Sequence, residues 1–581
     1  MIDKIKLFTE YIKYILPYKN KWLALFILTG FGSCIGLINP YLAKLTIDQA
    51  LGNKKFDLFL LLLIIGGVIF ILEKFLEGAG HYLNSYIKLK AGFDLRKKTL
   101  KHMHHLPYGW FQDRAVGEHL YKLNYDIDVI TEFITDAPVL LLSVFSKLLL
   151  TLAVLFHINW KMAVFSLFLV PFLYLPSYYL TKIIEKTWDK FIRSSEEIFK
   201  HLEEGFSNML LIKVFGREID ILRSHTKGMV ASLRIRINNI RIELFSGLGS
   251  EIISKSIAGL IILYGGYQIT KGKFTLGELT AVMAYLYQLM GLQNQISLLF
   301  QDLAMGFVSC RRINEIFEDK TRIMEDKNAN YAIFNRAEII FQNVSFGHKP
   351  GRHVLKNLSF IIESGKHIAL VGYSGCGKTT LLHLLVRLYD PWNGEISIDG
   401  NPIKKLKLNS LKEQIGFVLQ QPFLWNDSIE NNIKYGSKDI NGQELITAAK
   451  TAGVDQFASA LSQGYQTIIG EKACKISEGQ KQKIAIARAL IKKPKILVLD
   501  EAMSSMDSAS EEKIISNIKQ CQDGLTLITV SHRLSTVMAA DLAYFFIGPD
   551  KIIIGDPSNL LKNNQDLFNL FAKQSNYLGV P

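Results

Sequence analysis

Cysteine is scarce in this 581-residue chain. The five that occur, Cys34, Cys310, Cys376, Cys474 and Cys521, are scattered without pairing or metal-ligand spacing. This excludes a disulfide framework and fits a reducing compartment. A cleavable secretory leader is also not expected, because no small-residue cleavage site follows a short apolar core within residues 1–21. Acid is in deficit: 67 Lys and Arg face 53 Asp and Glu, a formal net charge of +14. Such a balance would suit nucleic acid in a soluble protein. Here, however, 49% of residues are hydrophobic and 21% charged, and the two kinds are segregated along the chain. The positive charge therefore reads as cytoplasmic loops facing anionic lipid, and no nucleic-acid partner is expected. The length exceeds a single core and calls for two or more domains.

Residues 1–21 interleave Lys4, Lys6, Lys13, Lys19 and Lys21 with Ile5, Leu7, Phe8, Tyr11, Ile12 and Ile15, the pattern of an amphipathic helix lying on a membrane surface. Six stretches follow that are long enough to cross a bilayer: 22–48, 57–82, 137–158, 161–184, 243–270 and 275–300. Short connections at 49–56, 159–160 and 271–274 alternate with long basic ones at 83–136 and 185–242. The Lys/Arg bias places the N-terminus and both long connections in the cytoplasm. Each long connection reads as helical, so the membrane helices are expected to continue into the cytosol. A polar linker at 318–336 leads to a second domain at 337–581, where strands alternate with helical patterns.

That second domain is organised around Gly372-Tyr373-Ser374-Gly375-Cys376-Gly377-Lys378-Thr379, a G-x-x-x-x-G-K-[ST] match. It follows the apolar run Ile368–Val371 and precedes the helical pattern from Thr380 to Leu385, the strand–loop–helix context a phosphate-binding P-loop requires. Its glycines let backbone N–H groups point at phosphate oxygens, and the helix N-terminus adds its positive dipole end. Lys378 is suited to the β- and γ-phosphates and the Thr379 hydroxyl to Mg²⁺. Downstream, Ile496-Leu497-Val498-Leu499-Asp500-Glu501 is an apolar strand ending in two carboxylates. Asp500 suits the Mg²⁺ shell, and Glu501 is placed to polarise a water for attack on the γ-phosphate. ATP and Mg²⁺ are the expected cofactors.

Between these motifs, Ile476-Ser477-Glu478-Gly479-Gln480 resembles the signature sequence of ATP-binding cassette (ABC) transporters. Gln420 resembles the family's Q-loop glutamine, Ser504-Ser505-Met506-Asp507 its D-loop, and His532 its switch histidine. With the membrane half, the resemblance covers nearly the whole chain and is to an exporter-type half-transporter. It implies an all-α, six-helix transmembrane domain (22–317) with long cytoplasmic extensions, joined to an α/β P-loop NTPase domain. It implies catalytic roles for Glu501, His532, Gln420 and Lys378, with Thr379, Gln420 and Asp500 around the metal. Nucleotide contacts then fall to His348, Gly372, Ser374, Gly375, Cys376, Gly377, Thr380 and Gln420. Ser477, Gly479, Gln480 and Asp507 would face the nucleotide of a second subunit. Coupling loops are implied near 111–118 and 215–218.

The pattern departs from the family at three places. His348 stands where the family usually has a tyrosine that stacks on adenine, with Phe346 on the same strand face. Ile476 replaces the usual signature leucine. Glu478 replaces the first signature glycine and brings negative charge close to an anion site. Cys376 fills the loop as a small residue, and its thiol beside Lys378 makes it a candidate for oxidation or alkylation that would block phosphate. One P-loop and one signature per chain require two chains. All active residues are present, which favours a homodimer over a heterodimer.

Ionisable groups inside spans are functional candidates. Lys147 sits mid-way along the third span. Glu251 and Lys255 share a face of the fifth and are spaced to pair. Glu73, Lys74 and Glu77 lie toward the cytoplasmic end of the second, and Tyr285, Gln288, Leu292 and Gln295 form a stripe on the sixth. Pro171 and Pro176 permit bending of the fourth. These faces are expected to line a cavity of mixed charge, which suits an amphipathic or zwitterionic cargo, such as a drug, lipid or peptide, better than a bare ion. The peptidase domain that precedes some peptide exporters is not expected, since only residues 1–21 come before the first span. The expectation is an ATP-driven exporter working by alternating access in a bacterial cytoplasmic membrane, with the ATPase in the cytosol. An exporter-fold importer, or an ATP-gated channel or regulatory membrane protein, is the alternative.

Overall fold

A computed structural model of the chain describes all residues except 1, 113, 162, 165–186, 188–189, 320–324, 327, 438–439, 471–472, 474 and 579–581. Most of the fourth expected span, including Pro171 and Pro176, Asp113 of the first expected tip, Cys474 and part of the expected linker lie outside the described residues. The chain forms two compact units: Met1–Leu106 with Phe111–Lys320, and Pro107–Trp110 with Thr321–Pro581.

The first unit is helical. Its described elements include α1 (Ile2–Tyr11), α2 (Lys19–Gly36), α3 (Ile38–Leu45), α4 (Phe56–Met103), α5 (Ile127–Ile158), α6 (Glu218–Thr270) and α7 (Leu276–Glu318). At 48, 53 and 43 residues, α4, α6 and α7 far exceed the length of about 20 that a bilayer needs. α1 is tied down at its end: buried Tyr11 donates its hydroxyl proton to Asn314 Oδ1 at 2.7 Å.

The expected first span is not one helix. It breaks between α2 and α3 at Leu37 and widens into a π-helical turn at Thr46–Leu51. Pro40 is the cause: proline lacks the N–H that would bond the Gly36 carbonyl, and its ring crowds that same carbonyl. At the far end, Thr275 and Glu278 form a capping box on α7. The Asp48 carboxylate accepts from the Thr275 hydroxyl at 2.6 Å and from Gly277 N–H at 2.9 Å. A side chain at Gly277 would meet that carboxylate at 2.6 Å, so the approach depends on glycine.

Four described stretches are long and apolar enough to cross a membrane: Leu16–Leu51, Phe56–Met103, Val116–Ile158 and Glu218–Thr270. They contain the expected first, second, third and fifth spans. The sixth is a continuous part of α7 but is not among them, because Gln288, Gln293, Asn294 and Gln295 dilute its apolar character. Its apolar face is instead spent inside the protein, with Ala281, Val282, Tyr285 and Leu289 buried against other helices. A helix shielded from lipid by its neighbours need not be apolar all round.

The second unit holds two sheets. A four-stranded antiparallel sheet runs β2-β1-β4-β5, from β1 (Ile339–Phe346), β2 (Leu355–Ile362), β4 (Asn393–Ile398) and β5 (Asn401–Pro402). A six-stranded sheet runs β10-β9-β3-β8-β7-β6. Its strands are β3 (His367–Gly372), β6 (Ile415–Val418), β7 (Ile496–Asp500), β8 (Thr526–Val530), β9 (Leu542–Gly548) and β10 (Lys551–Gly555). β6, β7, β8, β3 and β9 are parallel, and every residue of β3, β7 and β8 is buried. This is why these strands read as continuous apolar runs rather than alternating ones. Crossover helices include α8 (Lys378–Leu385), α9 (Glu478–Leu490) and α10 (Ser508–Cys521).

Candidate active site

Parallel strands bring their carboxyl ends to one edge, and ligand sites of α/β sheets form there. The register pairs Leu370 of β3 with Val530 of β8, Val530 with Asp500 of β7, and Leu499 with Val418 of β6. Each strand delivers its motif just past these residues: the glycine loop after β3, His532 after β8, Glu501 after β7 and Gln420 after β6.

The glycine loop is built as a cradle. Gly372, Gly375 and Gly377 all have positive φ, at 153°, 82° and 98°. A Cβ on Gly372 would fall 2.8 Å from the Phe546 carbonyl oxygen, and one on Gly377 would fall 2.7 Å from the Leu355 side chain. Gly377 caps α8, leaving that helix's first N–H groups turned toward the loop. Lys378 is buried and bends back, its ammonium donating to the carbonyls of Gly372 at 2.7 Å and Tyr373 at 3.0 Å. Cys376 Sγ lies 3.6 Å from the same ammonium. The Thr379 hydroxyl donates to Asp500 Oδ1 at 3.4 Å. Burial pushes the Asp500 carboxyl above its ordinary range, and neighbouring Glu501 adds to this against the pull of Thr379 and Lys378.

Glu501 occupies the centre. Gln420 donates to its Oε2 at 2.6 Å, and His532 Nε2 stands 3.0 Å from its Oε1. Its backbone is left-handed, φ 49°, a conformation costing about 1–3 kcal/mol for a residue with a Cβ. A bond from Glu501 N–H to the Val530 carbonyl at 3.2 Å holds it there. A carboxylate gripped from both sides at the end of a buried strand is a fixed acceptor. It can orient and deprotonate a water.

The remaining nucleotide candidates are distributed as follows. Ser374 and Gly375 lie exposed at the loop's crest. His348 Nε2 lies 3.4 Å from the Thr380 hydroxyl, and its ring meets Phe346 and Tyr389 edge-on at 5.3 and 5.4 Å. Tyr108, within the same compact unit, lies edge-on to His383 and Tyr389 at 6.1 and 6.4 Å. Ser477 caps α9 in a reciprocal box with Gln480: Gln480 N–H donates to Ser477 Oγ at 3.3 Å, and Ser477 N–H donates to Gln480 Oε1 at 2.9 Å. Glu478 turns to Lys481 at 3.1 Å and is half exposed. A Cβ on Gly479 would press the Ser505 carbonyl at 3.2 Å. Asp507 caps α10, with both carboxylate oxygens taken by Ser510.

Three residues that hold this edge together carry no motif. Buried Gln482 spans from α9 to the loop after β7, accepting from Ser505 N–H at 3.2 Å. Arg533, next to His532, donates to the carbonyls of Ser504 at 3.0 Å and Met506 at 2.5 Å. It also pairs at 2.7 Å with Glu511, which is buried in α10. The D-loop is therefore strapped to the histidine's own segment. The available sequence signal was an arginine beside the switch histidine and a glutamate on the apolar face of α10, but their pairing spans 22 positions.

The membrane-unit candidates divide. A cavity of about 360 Å³ opens between α2, α4, α5 and α7, and Lys147, Glu73, Glu77 and Gln295 line it. Glu251 and Lys255 do not join it: both are exposed on α6, and no ion pair links them among the described residues. Four-residue spacing put them on one face, but that face points away from the packed helices. Tyr285 and Gln288 also differ from the expected cavity lining. The Tyr285 hydroxyl donates to the Leu37 carbonyl at 2.7 Å, and Gln288 Nε2 donates to the Gly36 carbonyl at 3.2 Å. Both serve the carbonyls at the Pro40 break, as membrane-embedded backbone demands.

Comparison with known proteins bears on the whole chain. Residues 22–293 match the family described as ABC transporter transmembrane region, and residues 355–504 match the one described as ABC transporter. The leukotoxin translocation ATP-binding protein LktB of Bibersteinia trehalosi is 30% identical over 566 residues, covering 97% of this chain and 79% of that protein. An uncharacterized ABC transporter ATP-binding protein of Bacillus subtilis, YfiC, is 28% identical over 565 residues, covering 97% and 93%. A solved structure of a bacterial Atm1-family ABC exporter with ATP bound superposes with a TM-score of 0.86 at 25% identity, over 96% of this chain and 99% of that one.

Proposed function

The chain belongs to the ABC transporter family, as a membrane-spanning unit fused to an ATP-binding unit, and from that premise we propose that it exports an amphipathic compound by alternating access as a dimer of half-transporters. Its ATPase activity is coupled to transport, and it is a multi-pass membrane protein. The finer reading places it in a bacterial cytoplasmic membrane with the ATPase unit in the cytosol. The observation that carries the proposal is Glu501, clamped between Gln420 and His532 beside the glycine cradle.

The residues suit a Mg–nucleotide complex. Thr379 hydroxyl, Asp500 carboxylate and the Gln420 amide form an all-oxygen donor set of the kind Mg²⁺ prefers. Mg²⁺ would neutralise phosphate charge there. Lys378 exchanges its two carbonyl partners for phosphate oxygens, so its ammonium is never left bare. Glu501 takes the proton of the attacking water, while His532 and Gln420 keep its carboxylate aimed. Ser477 and Gly479, at the N-terminus of α9, complete the site on a second copy, and domain closure drives the membrane unit outward. Export, rather than uptake or passive conduction, is favoured by the printed names of the translocation and exporter relatives.

The test is ATPase activity of the purified chain alone in lipid, beside sided transport in inverted vesicles. Activity and uphill flux that both vanish in Glu501→Gln support the reading. Passive flux surviving that change would indicate a channel, and flux in the opposite sense an importer. No activity from folded protein would point to a heterodimer.

A further inference from the structure

The cavity of the membrane unit has a charge pattern that specifies more than an amphipathic cargo. Four of its charged lining groups are Glu73, Glu77, Asp136 and Lys147. Two are already neutralised: Glu77 by Lys74 at 2.7 Å, and Asp136 by Lys88 at 3.3 Å. The other two form no ion pair among the described residues: Glu73 accepts a 3.3 Å bond from the Asn39 amide and feels Lys74 only at longer range, and Lys147 feels Glu77 only at longer range. Glu73 and Lys147 have opposite signs and line one cavity, yet they do not pair with each other. Charges left apart in a low-dielectric setting are costly unless something bridges them.

The neutral polar groups add polarity of one kind. Asn84 Nδ2 donates to Asp136 at 2.6 Å; a carboxylate only accepts, so the amide orientation is fixed and Asn84 Oδ1 is the free end. That oxygen, and Oε1 of Gln295, are shielded from solvent and accept no hydrogen bond. Both residues line the cavity, as do Leu25, Leu28, Leu76, Val139 and Leu140. The cavity thus offers one carboxylate and one ammonium with apolar wall between, while the two amide oxygens stay enclosed behind it.

We propose that this cavity binds a zwitterionic amphiphile, its N–H-bearing ammonium held by Glu73, its anionic group by Lys147, and its hydrocarbon by the leucine-rich wall. The proposal deepens the export reading and rests on it for the claim that the occupant is cargo.

Three soluble probes with the same dodecyl tail test it on the full chain in nanodiscs: dodecyl phosphoethanolamine, dodecylammonium and dodecyl phosphate. Equilibrium binding should favour the zwitterion at least tenfold over either single-charge probe. Glu73→Gln should abolish its advantage over dodecyl phosphate, and Lys147→Gln its advantage over dodecylammonium, while Lys147→Arg retains it. A misfolded variant would weaken all three probes together and could not give this reciprocal pattern. Equal binding of the three probes overturns the proposal. So does an unchanged zwitterion preference in both neutralised variants. ATPase of the same preparation separates the two readings. The reciprocal pattern without any ATPase sinks export by this chain alone and leaves the cavity assignment standing. Robust ATPase lost in Glu501→Gln, with the three probes bound alike, sinks the cavity assignment alone.

Discussion

The two units gather their polar groups in different ways. In the ATPase unit, Lys378, Gln420, Glu501 and His532 lie up to 154 positions apart in sequence yet meet at one edge. Parallel strands in register leave them no alternative, since each sits just past the carboxyl end of its strand. In the membrane unit, helical spacing says which residues share a face but not which way that face turns. Lys147 turned into a cavity, Glu251 and Lys255 turned out, and Tyr285 was taken up by a broken helix. A sheet constrains position through hydrogen-bond register, whereas a helix constrains only relative azimuth.

The strongest way to break this contrast is at Glu501. If strand-end placement makes it the base, Glu501→Gln should lower ATP turnover by about 10²–10⁴-fold, roughly 3–5 kcal/mol of barrier, with nucleotide binding retained. A loss under tenfold would mean the clamp does not set the chemistry.

A second test uses the interior of the parallel sheet. Burial lowers the His367 imidazole from 6.5 to about 4, and its ring faces Thr529 at 3.0 Å. Between those values the unfolded chain binds a proton the folded unit refuses. Stability is therefore complete above pH 6.5 and is lost as pH falls toward 4, by up to about 3 kcal/mol. Hydrogen exchange on each unit should show the acid loss in the ATPase unit, and His367→Gln should flatten it there.

Third, Tyr285→Phe removes the donor serving the Leu37 carbonyl. It should destabilise the membrane unit by about 1–3 kcal/mol, read as a lower unfolding midpoint with ATPase in detergent little changed. An unaltered midpoint would return Tyr285 to the pool of cavity candidates.

The smallest effect belongs to Glu478. Its exposed pairing with Lys481 is worth at most about 0.5 kcal/mol, so Glu478→Gln should change ATPase less than twofold. A large gain would show that the carboxylate meets phosphate after all.

How much the sequence disclosed follows the same division. The glycine loop, the acidic pair and the strand order's apolar runs are contiguous, so their chemistry could be read directly. Membrane helices far longer than a bilayer were legible in the helical patterns that flank the tips within 83–136 and 185–242. What stayed hidden depends on partners remote in sequence. The retraction of Lys378 onto its own loop, the strap from Arg533 to Glu511, and the turning of Glu478 toward Lys481 are choices among rotamers that spacing does not determine. The sixth span was legible by its length, but its sequence did not say that its apolar face is spent inside the protein.

The interruption at Pro40 has a mechanical consequence. Proline can never make the bond between residue 40 and the Gly36 carbonyl, so the bend at Leu37 costs the helix no rung at that position. The two carbonyls at that joint are tied to α7 by Tyr285 and Gln288, while Asp48 ties the far tip of the same arm to the start of α7. The first membrane crossing is therefore a jointed segment fastened to one neighbouring helix at both its elbow and its tip.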